Sequence, residues 1–448
     1  MCRKMPKQKE TPTKGVKDEK FISVEDALKQ KTGKVALRGW IYRIRKQKDK
    51  IFIILRDSSE IIQCIFSQEK FQKEWKDIDK LLNESSLEVF GVIKEDQRAP
   101  KGYEVTAERI EIIHYADNFP INKDQSPEFL LDVRHLWLRS RRITAILKIR
   151  STVFGAIHEY FRSKEFYEFH SPIITAGAAE SGPTKFLVDY FGEKAYLTQT
   201  WQFYAEAAIY ALEKIYTIAP SFRAERSKTS RHLTEYWHAE VEAAWYDLDA
   251  LMELAEGLIK QVLKRVLEKN QKELKILERD PAKLEVSLKK KFPRITYDEA
   301  LKFLKEKKGH AIKWGKDLRT IEEEKLMELF DTPVFVTHYP KEIMAFYKPR
   351  DRKNPKTAVC FDCLMPDAHG ELIGGSVRDT DIEELKKSLK SFGEKIEDYE
   401  FYFDINKYGA VPHAGFGMGV ERFVKWICSL DNIKDAIAFP RTINRYKP

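Results

Sequence analysis

The segment FRAERSKTSRHLTEYWHAEVE, residues 222–242, contains three arginines, two histidines and four glutamates among apolar and aromatic residues. Its alternating pattern on either side of SKTS predicts two β-strands joined by a polar turn. Salt bridges within such a hairpin would explain the charges without any ligand. A binding site for a charged substrate would explain them equally well, so the rest of the chain has to decide between the two interpretations.

The composition is that of a folded protein with more than one domain. The chain has 448 residues, of which 43% are hydrophobic and 33% are charged, so two or three domains are expected. A net charge of +9 suits a polyanionic partner. The five cysteines form no disulfide framework, and no apolar run approaches the roughly 20 residues of a membrane helix. We therefore expect a cytoplasmic protein without a membrane partner.

The sequence pattern changes several times along the chain. Residues 1–20 predict a flexible basic tail. Residues 21–117 contain five short alternating runs, which favour a five-stranded OB-type β-barrel. The polar, proline-containing stretch 118–140 is expected to be a linker. In residues 141–448 the strands and helices are segregated, which predicts an α+β domain, with a helical elaboration at about 265–330.

The predicted barrel contains a candidate nucleic-acid site. OB folds bind oligonucleotides on one face, where aromatic side chains stack on bases and basic side chains contact phosphates. Phe52 and Gln63 lie on neighbouring predicted strands, so Phe52 could stack on a base while Gln63 contacts its edge. The alternative places Phe52 in the barrel core and the nearby lysines in a solvated loop, and composition does not distinguish the two.

The glycine-rich segment GFGMGVERF, residues 415–423, is a candidate ligand contact. Its glycines allow the backbone to lie close to a ligand. Arg422, which follows them on a predicted helix, could stack on a flat group or pair with a phosphate. Close packing of that helix against a strand is the alternative explanation of the glycines.

The segment GELIGGSVR, residues 370–378, contains carboxylate and guanidinium groups close together. Glu371 and the upstream Asp362 could supply the oxygen ligands that Mg²⁺ prefers. Arg378 would then be available to bind a polar group of a substrate. Each of these residues, taken singly, could also be a surface salt-bridge partner.

Three segments, in order, resemble the three motifs of class II aminoacyl-tRNA synthetases. They are the helix and strand that end at Pro172, the stretch FRAE…RHLTEY, and GFGMGVER. The segments RGWIYRIR, IFIILRD and IIQCIF resemble the anticodon-binding barrel of the aspartyl/asparaginyl/lysyl subgroup. The resemblance covers residues 35–448 and is weakest across 265–330. It implies that 141–448 is a catalytic domain built on an antiparallel sheet flanked by helices.

The resemblance implies ATP and Mg²⁺ as cofactors and assigns residues to them. Arg223 would contact both the α-phosphate and the carboxylate of the amino acid, and Arg422 would stack on adenine opposite Tyr236. These two arginines are the expected catalytic residues. The expected ATP contacts are Arg223, Glu225, Arg231, His232, Tyr236, Glu371 and Arg422. The expected metal ligands are Asp362, Glu371 and Ser376.

The resemblance also implies contacts with an amino acid, a tRNA and a second copy of the chain. The expected amino-acid contacts are Glu180, Gln202, Glu206, Arg223 and Arg378. The expected anticodon contacts are Phe52, Gln63 and Glu95. Pro172 belongs to the motif that forms the dimer interface in this family, so a homodimer is implied.

The residues after Gln202 bear on which amino acid is bound. Aspartate-specific members of the subgroup carry a lysine three positions after this glutamine, whereas this chain has Ala205 followed by Glu206. An acidic acceptor suits the amide NH₂ of asparagine and repels the carboxylate of aspartate. Val377 and Met344 stand where asparagine-specific members usually have Gln and Lys.

The resemblance therefore implies an enzyme that activates asparagine with ATP and transfers it to the 3′ end of tRNA(Asn). One alternative is an aspartate-specific relative, including one that charges two tRNAs. Another is an asparagine-synthesising paralogue, although such paralogues lack the barrel. A third is a non-catalytic RNA-binding protein, which predicts loss of the phosphate-binding positions, yet Arg223, Glu225 and Arg422 are all present.

Overall fold

The computed structural model describes residues 20–176, 185–226, 229–393 and 395–447. It divides into two compact units, residues 1–125 and residues 126–448. Glu180 and residues 1–19 of the expected tail lie outside the described residues. Within the described part of the chain, no helix is both long enough and apolar enough to cross a membrane.

The N-terminal unit is a closed five-stranded barrel, as predicted. Its strands are β1 (Gly33–Lys46), β2 (Lys50–Arg56), β3 (Ile61–Ser67), β4 (Ser86–Glu95) and β5 (Tyr103–His114), closed in the order β1-β2-β3-β5-β4. Only the β3–β5 pair is parallel. Helices α1 (Val24–Gln30) and α2 (Trp75–Asp79) and a 3₁₀ turn at Pro100–Gly102 belong to the same unit.

The side chains of β2 alternate between the inside and the outside of the barrel. Ile51, Ile53 and Leu55 point into the apolar core and are at most 1% exposed. Successive residues of a strand face opposite sides, so Phe52 lies on the outer surface, where it is half-buried. The interpretation of Phe52 as part of the barrel core is therefore wrong.

The second unit is built on an eight-stranded sheet with the order β12-β13-β14-β15-β16-β11-β10-β6. Its strands are β6 (Tyr167–Glu168), β10 (Lys214–Phe222), β11 (Glu235–Ala244), β12 (Arg294–Thr296), β13 (Val334–Thr337), β14 (Cys360–Met365), β15 (Gly370–Val377) and β16 (His413–Gly419). The six central strands are antiparallel, as the resemblance implied, but the outermost pair at each edge is parallel. A second, three-stranded sheet contains β7 (Ile174–Thr175), β8 (Leu187–Tyr190) and β9 (Glu193–Leu197).

The helices of this unit are interspersed with the strands along the chain. They are α3 (Pro127–Asp132), α4 (Arg134–Trp137), α5 (Arg141–Ser163), α6 (Gln202–Leu212), α7 (Leu248–Lys269), α8 (Gln271–Ile276), α9 (Pro281–Lys289), α10 (Tyr297–Lys308), α11 (Thr320–Met327), α12 (Ile382–Ser391), α13 (Glu400–Lys407) and α14 (Val420–Ile427). 3₁₀ turns occur at Lys341–Ile343, Ile396–Tyr399 and Ile433–Ala436. Within the predicted helical elaboration, β12 is a strand that the sequence analysis did not foresee.

The two faces of the large sheet differ in what covers them. Helices α5, α7 and α14 bury side chains such as Val153, Leu258 and Trp426 against one face. On β11 the residues that belong to this core are Ala239, Val241 and Ala243. The alternate side chains of β11 therefore point to the opposite face, where α6 packs at one end and where the polar residues of the opening segment lie.

Candidate active site

The hairpin predicted from residues 222–242 is formed by β10 and β11, but its strands end further from the turn than predicted: none of the described residues between Phe222 and Glu235 is in a strand. The connecting loop is anchored on one side by the Arg223 amide, which donates to the carbonyl of Thr234 at 3.0 Å. On β11, four side chains face away from the helix-covered core: Tyr236, His238, Glu240 and Glu242. The charge in the opening segment thus belongs to a site and does not form a closed set of salt bridges within the hairpin.

The first cavity on this face brings together every residue that was expected to contact ATP. Its lining includes Arg223, Glu225, Arg231, His232, Tyr236, Glu371 and Arg422. The Nη1 atom of Arg422 donates to the backbone oxygen of Glu371 at 2.9 Å and to its Oε2 at 3.2 Å. The guanidinium group of Arg223 lies 5.8 Å from the centre of the Tyr236 ring. Cationic and aromatic groups are therefore positioned side by side, as binding of a nucleotide requires.

Two of these residues, Arg231 and His232, already contact neighbouring groups of the protein. The Nη2 atom of Arg231 donates to Glu324 Oε1 and to the Ala368 carbonyl, both at 2.6 Å. His232 contacts the hydroxyl of Thr229. Burial, together with the nearby Arg422, lowers the pKa of His232, which favours the neutral imidazole.

The glycines of GFGMG make room for side chains of the neighbouring strand. A Cβ atom at Gly417 would lie 2.5 Å from Nε2 of His238, and a Cβ atom at Gly415 would collide with the carboxylate of Glu242. From the sequence, these glycines had two possible explanations: close approach of a ligand, or close packing of a helix against a strand. The structure shows that glycine at both positions lets two polar side chains of β11 lie flat on the sheet.

A second cavity adjoins the first and shares Arg223, His238, Glu371 and Gly417 with it. Three of the residues expected at the amino acid line it: Gln202, Arg223 and Arg378. Residues that the sequence analysis did not assign also line it: His238, Glu240, Glu242, Asp317, Tyr347 and Lys348. Arg223 thus borders both cavities, in a position to contact two substrates at once.

Arg378 is fixed in the second cavity by a buried carboxylate. Its Nε atom donates to both carboxylate oxygens of Glu242, at 3.1 and 3.3 Å, and Nη2 makes a further contact with the same group. Burial raises the pKa of Glu242 to about 7, against the opposing effect of Arg378. Nη1 of Arg378 donates to Ser376 Oγ at 2.8 Å. In the structure, Ser376, the third expected metal ligand, is therefore hydrogen-bonded to Arg378.

Glu206 does not face either cavity. It is completely buried, and Gln202 Nε2 donates to its Oε1 at 2.7 Å. Its Oε2 accepts from the Tyr402 hydroxyl at 2.7 Å and contacts His413 Nε2 at 3.0 Å. Although burial opposes ionisation, the contact with His413 keeps the pKa of Glu206 below its usual value. Glu206 thus orients Gln202, whereas Glu242, which is paired with Arg378, does line the cavity.

The two carboxylates expected to bind Mg²⁺ lie close together on β14 and β15. A Cβ atom at Gly374 would lie 3.0 Å from Glu371 Oε1 and 3.6 Å from Asp362 Oδ1, so both groups reach over the same glycine. Burial and the nearby Glu371 raise the pKa of Asp362 well above its usual value. A divalent cation would relieve this repulsion. Among the described residues, no group of three His, Cys, Asp or Glu side chains could hold a metal alone.

One wall of the second cavity is a loop fastened by a single buried lysine. The Nζ atom of Lys341 donates to the carbonyls of Ala345, Phe346 and Lys348, at 3.4, 3.3 and 2.6 Å. Ala345 and Lys348 line the cavity. Met344, in the same loop, is buried, and its sulfur lies 3.5 Å from Lys348 Nζ. Lys341 therefore fixes the backbone of this wall, while Phe346 and Tyr347 anchor it through an apolar cluster.

The expected anticodon contacts lie on the outer surface of the barrel. The guanidinium group of Arg45 is 4.5 Å from the centre of the Phe52 ring. On the next strand, Gln63 Nε2 donates to Glu104 Oε2 at 3.0 Å. Glu95 is exposed at the end of β4, and it is the preceding Lys94 that reaches Glu104, at 3.3 Å. Phe52 and Gln63 therefore share one surface, whereas Glu95 has no described contact with them.

The fold and the two joined cavities define a class II aminoacyl-tRNA synthetase with an OB-fold domain. Residues 126–443 match the family model of class II tRNA synthetases (D, K and N), and residues 35–113 match that of the OB-fold nucleic acid binding domain. The chain belongs to the class II tRNA synthetase family (D, K and N).

The similar proteins are asparagine–tRNA ligases. The enzyme of Thermoplasma acidophilum is 47% identical over 416 residues, which cover 93% of this chain and 96% of the relative. The enzyme of Thermococcus kodakarensis is 46% identical over 415 residues, with the same two coverages. The structure of asparaginyl-tRNA synthetase from Pyrococcus horikoshii complexed with asparaginyl-adenylate superimposes with a TM-score of 0.92, at 42% identity. The superposition covers 96% of this chain and 100% of the Pyrococcus horikoshii chain.

Proposed function

We propose that this protein is an asparagine–tRNA ligase that uses ATP to form asparaginyl-adenylate and then charges tRNA(Asn). The observation that supports this best is the position of Arg223, which borders both the nucleotide cavity and the amino-acid cavity. In the first step the carboxylate oxygen of asparagine bonds to the α-phosphorus of ATP, and pyrophosphate leaves. In the second step the terminal hydroxyl of the tRNA bonds to the activated carbonyl carbon, and AMP leaves.

The residues of this chain contribute positioning and charge, with no covalent intermediate on the protein. Arg223 binds the reacting carboxylate and the α-phosphate, where negative charge accumulates in the transition state. Tyr236 and Arg422 enclose the adenine ring, and Glu225, Arg231 and His232 contact the remainder of the nucleotide. Gln202, oriented by Glu206, contacts the α-amino group of the amino acid.

The amino-acid cavity favours an amide over a carboxylate because of the pair formed by Glu242 and Arg378. The carboxylate of Glu242 accepts a hydrogen bond from the asparagine NH₂ group, and Arg378 donates to the asparagine C=O. Aspartate offers no donor to Glu242 and brings a second negative charge into a buried site. A site of this kind rejects the wrong substrate by leaving its own charges unpaired.

Asparagine-dependent ATP–pyrophosphate exchange is the assay that tests the proposal. We expect exchange with asparagine and far less with aspartate, whereas equal rates with the two amino acids would contradict the assignment. The Glu242→Gln variant is expected to prefer asparagine over aspartate about 100-fold less strongly than the wild type does. Loss of one buried acceptor for the substrate NH₂ group costs roughly 1–3 kcal/mol, and the variant no longer repels the carboxylate of aspartate. An unchanged preference in this variant would mean that Glu242 does not contact the amide.

Mg²⁺ fits the carboxylates of Asp362 and Glu371 because both reach the same point and repel each other without a cation. When bound, Mg²⁺ would neutralise phosphate charge and orient the phosphates of ATP. Ser376 remains a proposed third ligand. Its hydroxyl group would have to give up the hydrogen bond that it accepts from Arg378 in order to bind the cation. Binding of Mn²⁺ to the protein, measured by electron paramagnetic resonance, should be lost in Asp362→Asn, and retention would argue against this site.

The outer surface around Phe52 is proposed to bind the anticodon, with Gln63 and Glu95 contacting bases. The Phe52→Ala variant should charge tRNA(Asn) about 10- to 100-fold less efficiently, because base–aromatic stacking contributes roughly 1–3 kcal/mol per base. Its rate of pyrophosphate exchange without tRNA should equal that of the wild type. An equal loss in both assays would point instead to damage of the fold.

The region around Pro172 is proposed to form a homodimer interface. Pro172 is exposed, and so are the apolar side chains of Ile173, Ile174 and Leu187 nearby in the chain and in the small sheet. Exposed apolar side chains that are grouped on one small sheet are typical of association surfaces. A monomer at micromolar concentration in analytical ultracentrifugation would contradict the proposal.

We further propose that the enzyme acts in the cytoplasm.

A further inference from the structure

His238 lies in the middle of the site but has no role in the reaction as proposed so far. It lines both cavities, together with Arg223 and Glu371. Its side chain is only 12% exposed. A histidine at the junction of two substrate cavities is in a position to contact the bond that is made there.

The strand that carries His238 presents its side chains at regular intervals along the site. Tyr236, His238, Glu240 and Glu242 lie on one face of β11, and successive members of such a row are about 7 Å apart. Tyr236 lies at the adenine end and Glu242 at the amide end of the proposed adenylate. An asparaginyl-adenylate laid along β11 therefore places its acyl-phosphate linkage over His238 and its α-amino group over Glu240.

The imidazole ring is held in one orientation by its neighbours. Nδ1 lies 3.4 Å from Glu240 Oε2 and 3.5 Å from Ser221 Oγ. Glu240 is itself fixed, because its Oε2 accepts from the Trp201 amide at 3.0 Å and its Oε1 accepts from the hydroxyl of Thr200. The Nδ1 side of the ring is thus occupied by these neighbours, which leaves Nε2 for a ligand.

We propose that His238 binds the acyl phosphate of the adenylate through Nε2, with its ring oriented by Glu240 and Ser221 on the Nδ1 side. A phosphate oxygen only accepts hydrogen bonds, so Nε2 is the donor of this contact. The inference rests on the proposed function, since it requires an aminoacyl-adenylate in the site.

Binding of asparaginol-adenylate tests the inference, because this analogue keeps the phosphate but has a CH₂ group in place of the acyl carbonyl and so cannot transfer an aminoacyl group. In titration calorimetry His238→Ala should weaken binding of this analogue about 10- to 100-fold, the loss expected for a hydrogen bond to a charged group. Binding of asparagine alone should be unchanged. His238→Gln, which keeps an N–H donor, should recover much of the lost affinity. Equal weakening of asparagine and of the analogue in His238→Ala would show a merely structural role.

Pyrophosphate exchange separates a failure of this inference from a failure of the proposed function. If the wild type shows asparagine-dependent exchange but His238→Ala binds asparaginol-adenylate as tightly as the wild type, this inference alone is overturned. Absence of asparagine-dependent exchange in the wild type would overturn the proposed function.

Discussion

The Arg223→Ala variant should catalyse asparagine-dependent pyrophosphate exchange about 10²–10³-fold more slowly than the wild type, as is found when a preorganised transition-state donor is removed. Arg223 borders both cavities, so its loss affects the reacting carboxylate and the α-phosphate together. The deficit should appear mainly in kcat, because the charge that it stabilises is largest in the transition state. Steady-state exchange kinetics with varied asparagine and varied ATP measure this directly.

Two further variants show whether the geometry of Arg223 or only its charge matters. Arg223→Lys keeps the positive charge but loses the planar fork that can bind two oxygens at once, and its rate should lie between those of wild type and Arg223→Ala. Arg226→Ala removes an exposed arginine of the same loop that lines neither cavity, and exchange should be unaffected. An Arg223→Ala enzyme with a normal kcat would refute the placement of the reacting groups.

The Glu206→Gln variant should lose about 3–5 kcal/mol of folding stability, the cost of breaking a buried ionic network on one side. Glu206 accepts hydrogen bonds from Gln202 and Tyr402 and contacts His413. An amide at this position presents an NH₂ group to donors that need an acceptor, and it leaves His413 without its counter-charge. Equilibrium unfolding in urea, followed by circular dichroism, gives the free energy of unfolding.

Glu285→Gln is a matched control, because Glu285 makes only a surface ion pair with Lys289, and its stability should lie within about 0.5 kcal/mol of wild type. The sequence analysis assigned Glu206 to the substrate amide, which predicts a different outcome. A Glu206→Gln protein with wild-type stability and altered choice between asparagine and aspartate would restore that assignment. Loss of stability would confirm the structural role.

The ATP half of the site was accessible from the sequence because its residues lie in short segments with recognisable spacing. Strand alternation placed the hairpin, and the segments containing Arg223 and Arg422 carried the family resemblance. Glu242 could have been found by the same alternation, since it has the same parity on β11 as Tyr236. Its partner could not have been found in the same way, because Arg378 is 136 positions away in the sequence.

The amino-acid half could not be derived from local pattern because burial there depends on distant partners. Glu206 follows Gln202 by one helical turn, so the two side chains meet on one face of α6 and bond to each other. Tyr402 and His413, which complete the network, come from segments about two hundred residues later. A sequence window shows an acidic residue next to the site but not the direction in which the carboxylate points.

The fastening of the cavity wall by Lys341 bears on how such an enzyme can diverge. One ammonium group holds the backbone of residues 345–348 through three carbonyls, although Lys341 does not itself line the cavity. The side chains of Phe346 and Tyr347 are packed in an apolar cluster, so they have little freedom to change. A replacement of Lys341 would therefore reshape the cavity from behind its wall, without altering any residue that a substrate touches.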